Sequence, residues 1–135
     1  MKRLFLDANV LFQAAYNPAG KSALLISSGK QGAWELYTNV HAIEEARRNI
    51  ELKSPKSMHR FLSLIKQIQR AHFPGHEDCP IDLPDKDKPI MISAIRCHAT
   101  HLITLDRKHF GKYMNKPQKT AGIVIQSVSD FLNQM

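Results

Sequence analysis

Apolar positions in this chain come in short blocks with two different periods. Residues 3–6 are an apolar run that stops at Asp7, as a buried strand does. Asn9 is placed to cap a helix running to Tyr16, and Asn17-Pro18-Ala19-Gly20 ends it. Residues 22–30 predict a second helix, closed near Gly29 and Gly32. Trp34-Glu35-Leu36-Tyr37-Thr38 alternates large apolar residues with others, which predicts a second strand. Asn39 then caps a helix whose inward face is Val40, Ile43, Ala46 and Ile50.

Ser54-Pro55 restarts the chain with a cap and a proline at the first helical position. Met58, Phe61, Leu62, Ile65 and Ile68 are the predicted apolar face of that helix. Between Phe73 and Lys86 three prolines and a glycine predict loop. Pro89 opens a further helix with Ile90, Met91, Ala94 and Ile95 on one side, and residues 101–105 read as a third strand ending at Asp106. Residues 122–125 are a fourth strand and residues 127–133 a closing helix. Strands alternating with helices build βαβ units. The predicted fold is therefore α/β, a three-layer α/β/α sandwich around a mainly parallel sheet of four to five strands.

Composition narrows the class. The 135 residues, 43% hydrophobic and 23% charged, suit one globular domain over residues 1–135. No apolar run approaches the ~20 residues that a bilayer crossing needs. The basic, then apolar, start resembles a signal peptide only until Asp7 and Asn9 interrupt it, so a cytoplasmic protein with no membrane partner is expected. Cys79 and Cys97 lack C-x-x-C spacing and read as free thiols. Lys and Arg total 19 against 12 Asp and Glu, a net charge of +7 that suits a polyanionic partner.

Parallel α/β sheets bind ligands beyond the carboxyl ends of their strands. Asp7 and Asp106 each sit just past such an end. Glu45 borders the apolar stripe of its helix, and Asp87 immediately precedes a helix start. Each acid also has a purely structural alternative: Asp87 and Asp7 as helix caps, Glu45 or Glu44 paired with Arg48, Asp106 as a turn residue. Four acids converging on one sheet edge repel one another unless a cation lies among them. Oxygen ligands select hard ions, Mg²⁺ or Mn²⁺, which let water attack phosphorus without a protein nucleophile.

These residues resemble the motifs of PIN-domain nucleases, in order and over almost the whole chain. Leu6-Asp7-Ala8-Asn9-Val10-Leu11 is similar to the first motif and Glu45-Ala46-Arg47-Arg48 to the second. Asp87-Lys88-Pro89-Ile90, continuing to Ala94, is similar to the third, and Thr104-Leu105-Asp106-Arg107-Lys108-His109-Phe110 to the fourth. The resemblance implies metal ligation by Asp7, Glu45, Asp87 and Asp106, with Asn9 and Thr104 holding carboxylates or water in place. It implies an endoribonuclease that leaves a 5′-phosphate and a 3′-hydroxyl. Small relatives are often the VapC-type toxin of a toxin–antitoxin pair, so an antitoxin partner and a homodimer are further expectations.

Glu44 beside Glu45 and Asp85 near Asp87 compete for the same roles; the spacing to the basic pair and to Ala94 favours Glu45 and Asp87. His109 stands where many relatives carry another acid, which bears on whether one metal or two would bind. Arg107, Lys108 and Arg48, and beyond them Arg47, Lys112, Lys116 and Lys119, are candidates for holding RNA phosphates. A phosphotransferase with Asp7 as nucleophile would want a second acid where Asn9 stands. A non-catalytic RNA- or protein-binding module is the other alternative. His72, His76 and Cys79, with Cys97, His98 and His101, have a loose zinc-like spacing without the paired cysteines that make such sites specific.

Overall fold

A computed structural model describes residues 1–72 and 78–135. Five strands, β1 (Arg3–Leu6), β2 (Glu35–Thr38), β3 (Gln69–Arg70), β4 (His101–Ile103) and β5 (Val124–Gln126), form one sheet in the order β3-β2-β1-β4-β5. Every pairing is parallel, with Phe5 opposite both Tyr37 and Leu102, and Leu102 opposite Ile125. In β1 the consecutive residues Leu4, Phe5 and Leu6 are all buried, although neighbours on a strand point to opposite faces. Both sides of the sheet are therefore covered, giving the α/β/α sandwich that the alternation predicts.

The helices are α1 (Ala8–Tyr16), α2 (Lys21–Lys30), α3 (Val40–Lys53), α4 (Met58–Ile65), α5 (Lys88–Arg96), α6 (Arg107–Phe110) and α7 (Val128–Asn133), with a 3₁₀ turn at Pro55–Ser57 leading into α4. None is long and apolar enough to cross a membrane. The core gathers Phe5, Phe61, Phe110 and Phe131, all without solvent exposure. Trp34 meets Phe131 edge-on, 4.9 Å between centroids, and donates its indole N–H to the Leu25 carbonyl at 3.0 Å.

Several sequence expectations shift in detail. The cap of α1 is Asp7, not Asn9, because the helix already begins at Ala8. Gly29 lies within α2 rather than stopping it: a Cβ there would meet Leu36 Cγ at 2.7 Å, so glycine lets the helix approach β2. Gly32, with φ +99°, makes the turn that follows. The buried stripe of α3 is Ala42, Ala46 and Ile50, while Val40 points outward at 65% exposure. Leu62 is likewise largely exposed, and Phe61 alone of α4 is fully buried. The short, polar β3 carried no apolar signal and escaped the sequence reading.

The order β3-β2-β1-β4-β5 positions the site. From β1 the chain builds outward through β2 and β3, then crosses to the other side for β4 and β5. The switch point lies between β1 and β4, and it is beyond the strand ends at such a point that sheets of this kind offer a crevice for ligands. Asp7 follows β1 and Thr104-Leu105-Asp106 follows β4.

Asn39 joins the two helices that bring the remaining acids. Its Oδ1 accepts from Ala42 N–H at 2.9 Å, capping α3, and its Nδ2 donates to Ser93 Oγ at 2.8 Å and to the Pro89 carbonyl at 3.2 Å, both on α5. Asn39→Ala should lower unfolding free energy by about 2–3 kcal/mol, combining a lost cap with buried hydrogen bonds left unmade. Urea unfolding measures this, and a loss under about 0.5 kcal/mol would show that the joint does not hold α3 to α5.

Candidate metal centre

Asp7 is 4% exposed, and both carboxylate oxygens are engaged. Oδ1 accepts from Ala8 N–H at 2.7 Å, and Oδ2 accepts from Thr104 Oγ1 at 2.8 Å. The Thr104 hydroxyl in turn accepts the Asp106 N–H at 3.1 Å. Asn9 Oδ1 accepts Leu105 N–H at 2.9 Å, and its amide group reaches toward Asp7 Oδ2 and Thr104 Oγ1 at 3.5 and 3.4 Å. Together these bonds fasten the segment after β4 to the carboxylate after β1. Asn9 and Thr104 thus stand against Asp7.

Asp106 caps α6. Its Oδ1 accepts His109 N–H at 3.0 Å, and its Oδ2 lies 2.7 Å from His109 Nδ1. Asp87 occupies the residue before α5, yet its side chain makes no capping bond. It is 6% exposed and its Oδ2 has no hydrogen-bond partner among the described residues. His109 Nδ1 sits 3.1 Å from that oxygen without hydrogen-bond alignment, its own bond going to Asp106. A buried carboxylate oxygen with no donor is costly unless something positive approaches it.

Glu45, half-buried on α3, is close enough to act electrostatically on both Asp7 and Asp87. Glu44 turns away into an ion-pair ladder, contacting Arg47 at 2.9 Å, and Arg47 also contacts Glu51. The partner across the helical turn is therefore Arg47, not Arg48, because i,i+3 spacing puts it beside Glu44. Asp85 points into solvent and pairs with Lys88 at 3.0 Å. Glu44 and Asp85 are thus engaged in ion pairs, while Glu45 acts electrostatically on Asp7 and Asp87, and Asp87 is buried.

The electrostatics follow from burial and crowding. Burial raises the Asp7 carboxyl to about 6; the Thr104 and Ala8 hydrogen bonds oppose this, while Asp87 and Glu45 add to it. Burial also raises Asp87, opposed by His109 and Lys86 and reinforced by Asp106 and Glu45. At Asp106 burial pushes upward, but the backbone and ring of His109 outweigh it and hold the carboxyl below its usual value.

Ligand atoms of Asp87, Asp106 and His109 lie within 4.8 Å of one another. Asp7 and Glu45 lie outside that trio, near enough to act on it electrostatically, so the group is rich in oxygen donors, with Asp87 Oδ2 buried and unpartnered and the Asp7 carboxyl pushed toward its neutral form. That set fits a divalent cation, which would neutralise the crowding and partner Asp87 Oδ2. His109 is a member that the motif resemblance does not assign as a ligand; its i,i+3 spacing from Asp106, which caps α6, is the signal that places its ring in the cluster. Among the described residues, no other three His, Cys, Asp or Glu side chains converge in this way. His101 packs edge-on against Phe131 at 5.1 Å, and His76 lies outside the described residues.

The basic candidates include exposed cations on the elements that carry the acids. Arg107 and Lys108 lie on α6 beside Asp106, and Arg48 is exposed on α3. Lys86, adjacent to Asp87, joins them. Arg47 is engaged by Glu44 and Glu51 and is the least available of the basic candidates.

No protein-family model matches the sequence, and no curated protein matches it. Solved structures do match. A chain in the crystal structure of VapBC2 from Rickettsia felis, bound to a DNA fragment from their promoter, superposes with a TM-score of 0.65 over 93% of this chain and 98% of that one, at 12% identity. A chain in the structure of VapBC-1 from nontypeable Haemophilus influenzae gives 0.58 over 94% and 98%, at 14% identity. The α/β/α sandwich expected from the sequence is the fold this chain shares with those structures.

A raised Asp7 carboxyl has a definite pH signature. The folded state holds the proton more tightly than the unfolded chain, so this group's stabilising contribution is complete below pH 3.8 and is lost as pH rises through about 6. In EDTA at pH 7, Asp7→Asn should be more stable than wild type by on the order of 3 kcal/mol, the difference fading toward pH 4. Denaturant unfolding across that range tests this; a constant or reversed difference would show that Asp7 is not held against its charge.

Proposed function

We propose that residues 1–135 form a single PIN-type nuclease domain, a metal-dependent endoribonuclease acting as the toxin of a toxin–antitoxin pair. What supports this reading is the meeting of Asp87 and Asp106 at His109, with Asp87 Oδ2 buried without a partner and with Asp7 and Glu45 near enough to act on one another and on Asp87 electrostatically. The four acids would hold Mg²⁺ or Mn²⁺. Such an ion supplies Lewis-acid stabilisation of the phosphate and activation of the attacking water.

The chain's own residues do the rest. Thr104 fixes Asp7 Oδ2 and Asp106 N–H together, and Asn9 holds the loop after β4 in register. Arg107, Lys108 and Arg48 bind flanking phosphates, drawing RNA across the crevice without reading its sequence. Water's oxygen forms the new bond to phosphorus as the bond to the ribose 3′-oxygen breaks, leaving a 5′-phosphate and a 3′-hydroxyl. The likeness to chains of VapBC complexes supports an antitoxin as protein partner, and a homodimer is part of the same reading. A cytoplasmic site of action goes with an RNA substrate and with Cys79 and Cys97 as free thiols.

Cleavage of a mixed RNA panel tests the proposal. Wild type should cut with Mg²⁺ or Mn²⁺ and not with EDTA, and Asp7→Asn and Asp87→Asn should each lose on the order of 100-fold or more. Equal cutting by wild type and both variants would refute it. RNA binding without cleavage by well-folded, metal-supplied wild type would favour the non-catalytic module instead.

A further inference from the structure

His109 is the nitrogen donor in an otherwise oxygen-lined cluster. Asp106 fixes it twice, by the cap bond to its backbone N–H at 3.0 Å and by the contact between Oδ2 and ring Nδ1 at 2.7 Å. The next residue, Phe110, is fully buried and anchors the same turn. The ring is thus held in place before any ligand arrives. Asp87 Oδ2, buried and without a hydrogen bond, faces the same Nδ1 at 3.1 Å.

The spacing suits shared coordination. A small divalent ion with ligands at ~2.1 Å seats neighbouring donors about 3 Å apart. The N···O separations of 2.7 and 3.1 Å lie on either side of that value. Carboxylates alone favour Mg²⁺, whereas imidazole is a good ligand for first-row transition ions and a poor one for Mg²⁺.

We propose that His109 is a direct metal ligand through Nδ1, and that it shifts the preference of this centre from Mg²⁺ toward transition ions. The proposal rests on the metal-dependent reading above. On binding, the ion takes the place of the proton that Nδ1 shares with Asp106 Oδ2, and the ring keeps its other proton on Nε2. An acid at this place would leave an all-oxygen site; the imidazole makes it a mixed one.

Pulsed EPR of the Mn²⁺-loaded protein, with calorimetric titration of Mg²⁺ and Co²⁺, tests the assignment. Wild type should show a ¹⁴N hyperfine coupling to Mn²⁺ that His109→Asn removes. The same variant should weaken Co²⁺ by roughly tenfold or more while Mg²⁺ changes by less than about threefold. Bound Mn²⁺ without nitrogen coupling in wild type, or unchanged Co²⁺ affinity in a folded His109→Asn, would overturn the assignment and leave the carboxylate centre standing. Failure of wild type to bind Mg²⁺, Mn²⁺ or Co²⁺ would sink the metal-dependent reading itself, and this assignment with it.

Discussion

Like charges forced together at the edge of a dry sheet are the constraint around which this molecule is arranged. Asp7 cannot move away from the crevice, because its backbone N–H is bonded to the Ile103 carbonyl at 3.0 Å and its oxygens to Ala8 and Thr104. Asp106 is fixed by capping α6, and Asp87 by the buried start of α5. Each anchor is an ordinary structural device. Their sum is not ordinary: it leaves carboxylates facing one another where water is scarce, a state that costs stability and is relieved by positive charge. In the structure Lys86 provides some of that charge and His109 Nδ1 faces two of the carboxylates, and a divalent cation would provide more charge.

The supports extend well beyond the crevice. Thr104 and Asn9 couple the loops after β1 and β4, so the first and fourth motifs act as one unit although 95 residues separate Asn9 from Thr104. Asn39 joins α3 to α5 and so couples the elements that carry Glu45 and Asp87. Solved structures with only 12% and 14% identity share the fold. A parallel sheet asks only for apolar strands and covering helices, while the rim asks for a handful of polar residues, so most of the sequence is free to change.

Much of this arrangement was legible in the sequence because strand ends and helix starts are locally encoded. The apolar run into Asp7, and the run through Ile103 toward Asp106, announced two acids on one rim. Other features needed three dimensions. Two adjacent glutamates differ by a rotation of about 100° on a helix, and only three dimensions show that Glu44 meets Arg47 while Glu45 acts on Asp7 and Asp87. Asp85 and Asp87 were separated by the loop path before α5. Val40 and Leu62 fit a helical period yet face outward, because periodicity sets the phase of a stripe but not its limits. Gln69–Arg70 became a strand through pairing with β2, which leaves no trace in its own hydrophobicity. His109 was read for the acid it replaces, when its spacing from a capping aspartate was already informative.

Anomalous diffraction from crystals grown with Mn²⁺ decides whether the rim carboxylates enclose a divalent ion. A manganese peak within about 2.5 Å of carboxylate oxygens from Asp87 and from Asp7 or Asp106 is the predicted result. Crystals grown at saturating Mn²⁺ with no peak in the crevice between β1 and β4 would contradict the account.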